Sequence, residues 1–310
     1  MIRLMKIAFF NDYRLGIVVG DNVVDVTDVV QEIPHLSPSD LLNGLIERFS
    51  DYKSKLDQAS QGPGVPIAEV SFRSPHPKPN NIVAMAVNYM EDGTREEPAP
   101  INAFHKSSNS VIGDNQTIVI PDVPASIFEH EAELALVISK RATQVRQEDA
   151  YDYIFGYLNF IDVSARGLLP PGNTFYQMKS RDTFAPMGPW IVTADEISDP
   201  QSLPIKLWVN GELKQNFNSN DMAHKIPRII EWVTSIHTLE PGDIVATGTN
   251  HRGLSALMDG DKVEMEIDGL GILHLGVRDD LKRIWSRETR LDRANNGLEG
   301  TTPQISGKYA

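Results

Sequence analysis

The sequence predicts a β-rich α+β fold, and three observations support this prediction. Short apolar runs bounded by Gly, Asn and Asp recur through most of the 310 residues, as is typical of strands separated by turns. Segments with helical periodicity are few and short. A stretch rich in proline and glycine, residues 61–81, separates a small first part from a larger second part. Because helices do not alternate regularly with the strands, we expect a β-rich roll and no doubly wound sheet.

Residues 1–75 are predicted to form a small N-terminal domain. Three antiparallel strands are expected, at residues 6–10, 15–19 and 22–26, since turn-forming dipeptides separate these apolar runs. An amphipathic helix is expected from about residue 39 to residue 56, where apolar side chains recur at helical spacing. The stretch rich in proline and glycine that follows indicates a linker to the next domain.

Residues 76–285 are predicted to form the larger domain, and residues 286–310 a polar tail. Apolar runs predict strands at residues 81–86, 116–120, 128–139, 156–162, 190–193, 204–212, 244–247, 262–267 and 271–277. Asn210-Gly211 is a strong hairpin signal. Helices are expected at about 147–153 and 227–237, with a further short helix around Leu281, Ile284 and Trp285. The last dozen residues are expected to be loose.

Composition excludes several classes of function. The net charge of −13 argues against nucleic acid and anionic membrane surfaces as partners, because both require a basic face. The absence of cysteine excludes disulfides, thiolate catalysis and zinc–sulfur sites. The start of the chain lacks the apolar core of a signal peptide, and no apolar run approaches the length of a membrane span. We therefore expect a cytoplasmic enzyme acting on a small molecule.

Two glutamates in an otherwise apolar strand are the most informative feature. Residues i and i+2 of a strand point to the same face, so Glu131 and Glu133 are expected side by side, roughly 7 Å apart at the backbone. Asp162 ends another apolar run and supplies a third carboxylate. Three carboxylates would make an all-oxygen site for Mg²⁺, Mn²⁺ or Ca²⁺. The alternative is that the glutamates face solvent on a half-exposed strand. His130 points to the other face, which favours a packing role over metal binding.

Two further segments carry candidate polar groups. Lys179 precedes a rigid turn rich in Gly and Pro, where its ammonium could hold a carboxylate or polarise a carbonyl, although a lone lysine is commonly a surface residue. Thr249 follows Gly248 at the end of a buried strand and offers a hydroxyl and an N–H to an anion. By spacing alone, that segment could also be an ordinary strand end.

Taken together, these motifs resemble the fumarylacetoacetate hydrolase superfamily. The resemblance rests on Glu-x-Glu in its strand, Asp162-Val-Ser-Ala-Arg166, Lys179-Ser-x-Asp-Thr-Phe, Val-Asn-Gly-Glu from Val209, and Thr247-Gly-Thr249, in this order from about residue 81 to residue 277. It implies a mixed β-sandwich roll with a smaller N-terminal domain, usually in a homodimer. It also implies Mg²⁺ or Mn²⁺ at Glu131, Glu133 and Asp162, with Lys179 and Thr249 on a 2-oxo or 1,3-dicarbonyl acid.

The chain departs from the pattern of the hydrolytic members, which often carry a His and a Glu soon after an Asn-Tyr pair. Here Asn88-Tyr89 is followed by Asp92 where the His is expected and by Arg95 where the Glu is expected. Tyr89 remains a candidate for substrate binding and Asp92 for the base, although an unperturbed Asp is a poor base at neutral pH. Three histidines could replace the missing one; they are His105, His224 and His251.

Two other departures concern the substrate. Ile161 stands where many members have an Asn before the metal-binding Asp, which puts the substrate class in doubt. Arg252 lies just after Thr249 and could bind a second carboxylate bidentately.

The leading hypothesis is a metal-dependent enzyme that hydrolyses the C–C bond of acylpyruvates through a stabilised enolate. Lys179, Asp92 and His251 are the candidate catalytic residues. Because the lid His–Glu pair is absent, a decarboxylase, isomerase or lyase acting on the same substrates is held near parity. A protein that binds metal and ligand without turnover is the rival from another class.

Overall fold

The computed structural model describes residues 5–172 and 174–310. The strands are β1 (Lys6–Phe10), β2 (Arg14–Val19), β3 (Asn22–Asp25), β4 (Val65–Pro66), β5 (Ile82–Met85), β6 (Ala103–Lys106), β7 (Val111–Ile112), β8 (Gln116–Val119), β9 (Ile127–Glu129), β10 (Ala132–Ile138), β11 (Ile154–Ile161), β12 (Ser164–Arg166), β13 (Ala185–Thr193), β14 (Pro204–Val209), β15 (Glu212–Asn218), β16 (Ile244–Ala246), β17 (Lys262–Ile267), β18 (Gly271–Arg278), β19 (Ile284–Trp285) and β20 (Gln304–Ser306). The helices are α1 (Pro38–Glu47), α2 (Phe49–Ala59), α3 (Phe175–Lys179), α4 (Ile226–Ile236) and α5 (Arg290–Asn295).

Most strands belong to two sheets. The larger sheet has the order β4-β3-β2-β1-β13-β11-β10-β16-β5-β6, with β7 also paired to β13, and the smaller has the order β15-β14-β17-β18-β8. Strand β6 lies at one end of the larger sheet, but β7, which follows it in the chain, pairs with β13 near the middle of the sheet. The chain therefore turns back from the edge of the sheet towards its centre. The prediction of a β-rich α+β fold is confirmed.

The central strand β10 is buried on both faces. Leu134, Leu136 and Ile138 belong to a core shared with the smaller sheet. Ala135 and Val137, on the opposite face, belong to a second core that includes apolar residues of α1 and α2. Burial on both faces explains why this strand is continuously apolar in sequence instead of alternating with polar residues.

One buried amide links the two sheets. The Asn159 side chain in β11 donates to the carbonyl oxygens of Gly188 and Gly271, both at 3.0 Å, and accepts from the N–H of Ile267 at 3.0 Å. A buried amide is tolerated because these partners satisfy it. Its contacts hold the smaller sheet against the strand that ends at Asp162.

The first strands continue the larger sheet. Antiparallel pairing of β1 with β13 aligns Lys6 with Val192. The Pro/Gly-rich stretch after α2 runs back along β1, where the N–H of Arg73 donates to the carbonyl of Phe9 at 2.8 Å. The expectation that the chain starts without a signal peptide falls partly on residues 1–4, which lie outside the described residues.

Most predicted elements are present, with differences at breaks and in the tail. The single helix expected at residues 39–56 is two helices, because the backbone leaves helical geometry at Arg48 (φ −111°, ψ 20°). The expected short helix around Trp285 was wrong, since β19 pairs there with β20. That pairing also shows that the loose tail was wrong, and the helix of this region is α5. Among the described residues, no helix is long and apolar enough to cross a membrane.

Candidate active site

Three buried carboxylates meet at one edge of the larger sheet. Antiparallel pairing of β10 with β11 aligns Ala132 with Ile161, so the residues just outside this pair, Glu131 and Asp162, become neighbours. The N–H of Asp162 donates to the carbonyl of Glu131 at 2.9 Å. One oxygen from each of Glu131, Glu133 and Asp162 lies within 4.8 Å of the others. All three are at most 3% exposed, so the solvent-facing alternative for the two glutamates was wrong.

The pKa values of the two glutamates shift in opposite directions because their neighbours differ. Burial, reinforced by the charges of Asp162 and Glu131, raises the pKa of Glu133 well above its ordinary value. Burial acts in the same direction on Glu131, but Lys179, Arg166 and His251 outweigh it and hold its pKa well below the ordinary value. Glu133 accepts one hydrogen bond, from the N–H of Gly248 at 2.9 Å.

This donor set fits a hard divalent cation. The three groups offer only oxygen, and their atoms lie close enough together to bind one ion. Burial, together with the charges of Asp162 and Glu131, raises the pKa of Glu133, and a bound cation would offset both effects. Mg²⁺, Mn²⁺ and Ca²⁺ all prefer such oxygen donors. Glu131, Glu133 and Asp162 are therefore the residues that could hold the metal.

Two buried lysines also contact the acidic cluster. Lys179, at the end of α3, donates to Asp162 Oδ2 at 2.7 Å and to Glu131. Lys106, the last residue of β6, donates to Asp162 and to the carbonyl of Lys179. No motif marks Lys106 in the sequence, because only the return of the chain from β6 to β13 brings this lysine to the cluster. Burial lowers the pKa of Lys106, opposed by Asp162.

A hydrogen-bonded His–Glu pair lies beside the cluster. Glu91, in the turn after Tyr89, accepts from the His251 backbone N–H at 2.8 Å and from its Nδ1 at 2.6 Å. The other ring nitrogen, Nε2, lies 3.9 Å from Glu131 Oε1. The pair absent from its expected place on the lid is thus formed by two segments distant in sequence. Sequence reasoning found His251 but passed over Glu91.

The structure separates Asp92 from this cluster. The Asp92 side chain is 48% exposed and lies 3.4 Å from Arg252. His105 is exposed and packs against His237. His224 contacts the carbonyl of Ala99 at 2.8 Å through Nε2. Of the three candidate histidines, the structure brings only His251 to the carboxylates.

His130 has the packing position predicted for it. It is fully buried, with Nδ1 3.0 Å from Gln215 Oε1 and Nε2 3.1 Å from Ser255 Oγ. Burial lowers the pKa of His130 to about 4. Gln215 also donates to Thr249 Oγ1 at 2.9 Å, so the same network fixes the threonine.

Thr249 and Tyr89 border the cluster in different ways. Thr249 Oγ1 donates to the carbonyl of Ala132 at 2.7 Å, and the residue lines the same cavity as the glutamates. Tyr89 is fully buried against Phe217, and its hydroxyl has no hydrogen-bond partner among the described residues. Burial, and then the charge of Glu133, raises the pKa of Tyr89 well above its ordinary value.

Two cavities meet at this centre. The inner one, about 40 Å³, is lined by Glu131, Glu133, Lys179, Thr249 and His251, among others. The outer cleft, about 590 Å³, contains four arginines; they are Arg95, Arg166, Arg252 and Arg290. Val87, Arg166 and His251 line both cavities. An acidic centre therefore opens into a basic cleft.

Glu129 joins two of these arginines. It accepts from Arg166 Nε at 3.0 Å, and from Arg290 through Nε at 2.9 Å and Nη2 at 2.5 Å. Arg166 also donates to Glu131 through Nη2. Burial opposes ionisation of Glu129, but the two arginines outweigh it and hold its pKa below the ordinary value.

Comparison with known proteins identifies the family. The sequence model of the family described as "Fumarylacetoacetate (FAA) hydrolase C-terminal" matches residues 80–278 of this chain. The matched residues include all three carboxylates, Lys179 and His251. The chain belongs to this family. The resemblance inferred from the sequence motifs is confirmed.

Relatives within the fumarylacetoacetate hydrolase family are named as enzymes. A maleylpyruvate hydrolase of Aquipseudomonas alcaligenes is 32% identical over 291 residues, which are 88% of this chain and 99% of the relative. The oxaloacetate tautomerase YisK of Bacillus subtilis is 33% identical over 296 residues, which are 87% and 98% of the two chains. The chain is an enzyme of this family, and the inactive binding protein is set aside.

A solved structure supports the metal-dependent chemistry. Maleylpyruvate hydrolase from Sphingobium sp. SYK-6, in complex with manganese(II) ion and pyruvate, aligns with a TM-score of 0.80 and 36% identity, covering 89% of this chain and 99% of that one. That relative thus binds a divalent metal and a small 2-oxo acid, and the acidic cluster found here could hold a divalent ion of the same kind.

Proposed function

We propose that this protein is a divalent-metal-dependent hydrolase that cleaves the C–C bond of an acylpyruvate. The observation that carries the proposal is the Glu91–His251 pair beside the carboxylates of Glu131, Glu133 and Asp162. Hydrolysis needs a base as well as a metal centre, and this pair supplies one where the expected lid residues do not.

The carboxylates and lysines define where the substrate lies. A divalent ion held by the three carboxylates supplies Lewis acidity to the 2-oxo acid end of the substrate. Lys179 borders the same cavity with its ammonium, and Arg166 brings a guanidinium. These cations orient the substrate carboxylate and offset negative charge as it develops on the leaving enolate.

The orientation of His251 follows from Glu91. A carboxylate only accepts hydrogen bonds, so Nδ1 carries the proton of the neutral ring and Nε2 keeps its lone pair. Nε2 takes a proton from water, and the hydroxide adds to the acyl carbonyl carbon. The C–C bond then breaks, its electron pair leaves with the pyruvate portion, and that portion takes up the proton from Nε2, which restores the neutral ring. The products are a carboxylic acid and pyruvate.

The outer cleft supports a second acid group on the substrate. Arg252 lies 3.4 Å from Asp92, an exposed pairing that competes weakly for its charge. Arg95 lines the same cleft, and its buried Nε has no hydrogen-bond partner among the described residues. We therefore propose that Arg252 and Arg95 bind the distal carboxylate of an acylpyruvate.

A direct assay tests the proposed hydrolysis. The purified protein, loaded with Mn²⁺ or Mg²⁺, is incubated with acylpyruvates that end in a carboxylate or in a methyl group. We expect loss of enol absorbance with stoichiometric pyruvate release, abolished by EDTA and faster for the acidic substrate. No pyruvate from any acylpyruvate, at any metal loading, would refute the hydrolase.

A tautomerase is the second candidate, because three relatives, at 33% to 36% identity, carry that name. Oxaloacetate supplied as its enol distinguishes the two activities. Conversion to the keto form without pyruvate release, together with inert acylpyruvates, would favour the tautomerase; release of CO₂ would favour a decarboxylase. Magnesium as the resident ion, a homodimer and a cytoplasmic location stay predictions. Light scattering on the eluting protein would test the dimer.

A further inference from the structure

The C-terminal segment contacts the candidate active site although the family model ends at residue 278. Arg290 begins helix α5, and its N–H donates to the carbonyl of Leu254 at 3.0 Å. The next N–H, of Leu291, donates to the carbonyl of Arg252 at 2.7 Å. These bonds dock the helix on the chain that leaves Thr249. Leu291, Ala294 and Asn295 then form one wall of the outer cleft.

The segment is anchored just before this contact. Trp285 is buried, and its Nε1 donates to the carbonyl of Ser126 at 2.7 Å. Arg287 makes a bidentate pair with Asp261, at 2.8 and 2.6 Å. Lys214 donates to the carbonyl of Arg287 at 2.9 Å. Arg290 is therefore presented by a fixed backbone rather than by a free end.

Glu129 has two positively charged neighbours for its single negative charge. Two guanidinium groups, of Arg166 and Arg290, face this one buried carboxylate. Arg290 occupies both oxygens through its fork, whereas Arg166 contacts one of them through Nε. A bidentate arginine pair nearly satisfies a carboxylate. Because Arg166 uses only Nε for Glu129, its Nη2 can donate to Glu131, and the residue lines both cavities.

We propose that Arg290 is a positioning residue, which neutralises Glu129 so that Arg166 directs its charge at the bound substrate anion. Without Arg290, the buried Glu129 has only Arg166 as its cation. An uncompensated buried carboxylate is costly, so Arg166 is drawn into bidentate pairing with Glu129 and away from the cavity. On this proposal, the C-terminal segment contributes to substrate binding through Arg290. This inference rests on the proposed function for the identity of the anion.

Oxalate binding tests the proposal without requiring turnover. Oxalate is a chelating dianion that resembles a planar 2-oxo acid enolate, and its affinity for the Mn²⁺-loaded protein is measured by calorimetry. We expect Arg290→Gln to weaken oxalate binding about tenfold, the scale of one charge-assisted hydrogen bond. Mn²⁺ affinity should change less than threefold, because the three ligand residues remain. Arg290→Lys keeps the charge without the fork, so it should restore part of the loss.

Arg293→Gln is the matched control. Arg293 lies on the same helix but contacts Glu288 and the carbonyls of Glu299 and Gly300, all within the tail. Oxalate affinity within twofold of wild type for Arg290→Gln overturns the proposal, as does an equal loss for Arg293→Gln. If Arg290→Gln does not fold, Arg290→Lys decides, and unchanged affinity in that variant overturns the proposal.

The outcomes separate this inference from the proposed function. Wild-type protein that binds oxalate but cleaves no acylpyruvate refutes the hydrolase and leaves the role of Arg290 to be judged by the binding series. Pyruvate release together with unchanged oxalate affinity in Arg290→Gln refutes the positioning role alone.

Discussion

His251 Nδ1 lies 2.6 Å from Glu91 Oε1, although 160 residues separate the two in the chain. The His251 backbone N–H also donates to the same carboxylate, so Glu91 fixes both the ring and the loop that carries it. Glu91 has a positive φ of 56°, a conformation that non-glycine residues adopt uncommonly. Such backbone strain often accompanies functional positions.

Replacing Glu91 should lower turnover more than substrate affinity. In Glu91→Gln, the amide can no longer favour the Nδ1-protonated ring by its charge, and the base loses strength and orientation. We expect kcat for acylpyruvate to fall about 100-fold with KM changed less than threefold, as is typical of general-base defects. Steady-state kinetics on the Mn²⁺-loaded protein measures both constants.

Exposed Glu96, on the same segment, is the control for this prediction, and Glu96→Gln should keep wild-type kcat. Asp92→Asn tests the other candidate base, which was suggested by its position in the sequence motif, against the pair found in the structure. A loss in Asp92→Asn as large as that in Glu91→Gln would contradict the assignment of the base to His251.

Removing the two glutamates should abolish metal uptake. Glu131→Gln with Glu133→Gln leaves Asp162 as the one carboxylate of the three, too few for a hard cation held by carboxylates. We expect bound Mn²⁺, measured by elemental analysis after dialysis, to fall below about one tenth of the wild-type content. Glu264→Gln changes a side chain on strand β17 that is 47% exposed, so this variant should retain the metal. Normal metal content in the double variant would refute the ligand assignment.

The pH dependence of stability should depend on His76. This residue is fully buried, with Nε2 2.9 Å from Asn43 Oδ1, and burial lowers its pKa from 6.5 to about 3. The folded state therefore binds its proton less readily than the unfolded state. The neutral His76 ring therefore stabilises the folded state fully above pH 6.5, the pKa of a histidine in the unfolded chain. This stabilisation is lost as the pH falls from 6.5 towards 3, the pKa of His76 in the folded state. At pH 5, the loss is about 2 kcal/mol.

Denaturant unfolding at pH 7.5 and pH 5 measures this effect. His76→Gln should lose about 2 kcal/mol less than wild type over that interval, whereas His35→Gln, a change at an exposed position, should lose as much as wild type. Equal pH dependence of wild type and His76→Gln would show that the His76 proton does not contribute.

Removing the Asn159 amide should weaken the contact between the sheets. Asn159→Ala leaves two carbonyls and the N–H of Ile267 without their partner in a buried site. We expect unfolding free energy to fall by about 3 kcal/mol, measured by urea denaturation. Exposed Asn216→Ala should change it by less than about 0.5 kcal/mol. An effect of that small size at Asn159 would mean that water replaces the amide.

Local pattern was sufficient for most of the fold. Apolar runs and turn dipeptides located strands such as β17 and β18, whose ends are fixed by hydrophobic content and by Asp268-Gly269. The tail was misjudged because β19 and β20 have only two and three residues, too few for a periodic pattern, and each strand is defined by pairing with the other. The break between α1 and α2 depends on the backbone at Arg48, which helical periodicity does not detect.

The candidate site divides in the same way. Glu131 and Glu133 could be predicted as site residues from the sequence, because two acids in an apolar strand are unusual and require a physical reason. Four other site residues could not be predicted in this way, because each is an ordinary charged residue in its own segment; they are Lys106, Glu91, Glu129 and Arg290. Only the three-dimensional arrangement shows that Lys106 contacts Asp162 and that Arg290 contacts Glu129.

The double-sided burial of β10 has a consequence for how this site can change. A single-residue insertion or deletion in the strand would exchange its inward and outward side chains, transferring every residue beyond it to the wrong core. The same slip would turn one ligand glutamate away from its partners. Spacing in this strand is therefore constrained by folding and by ion binding at once.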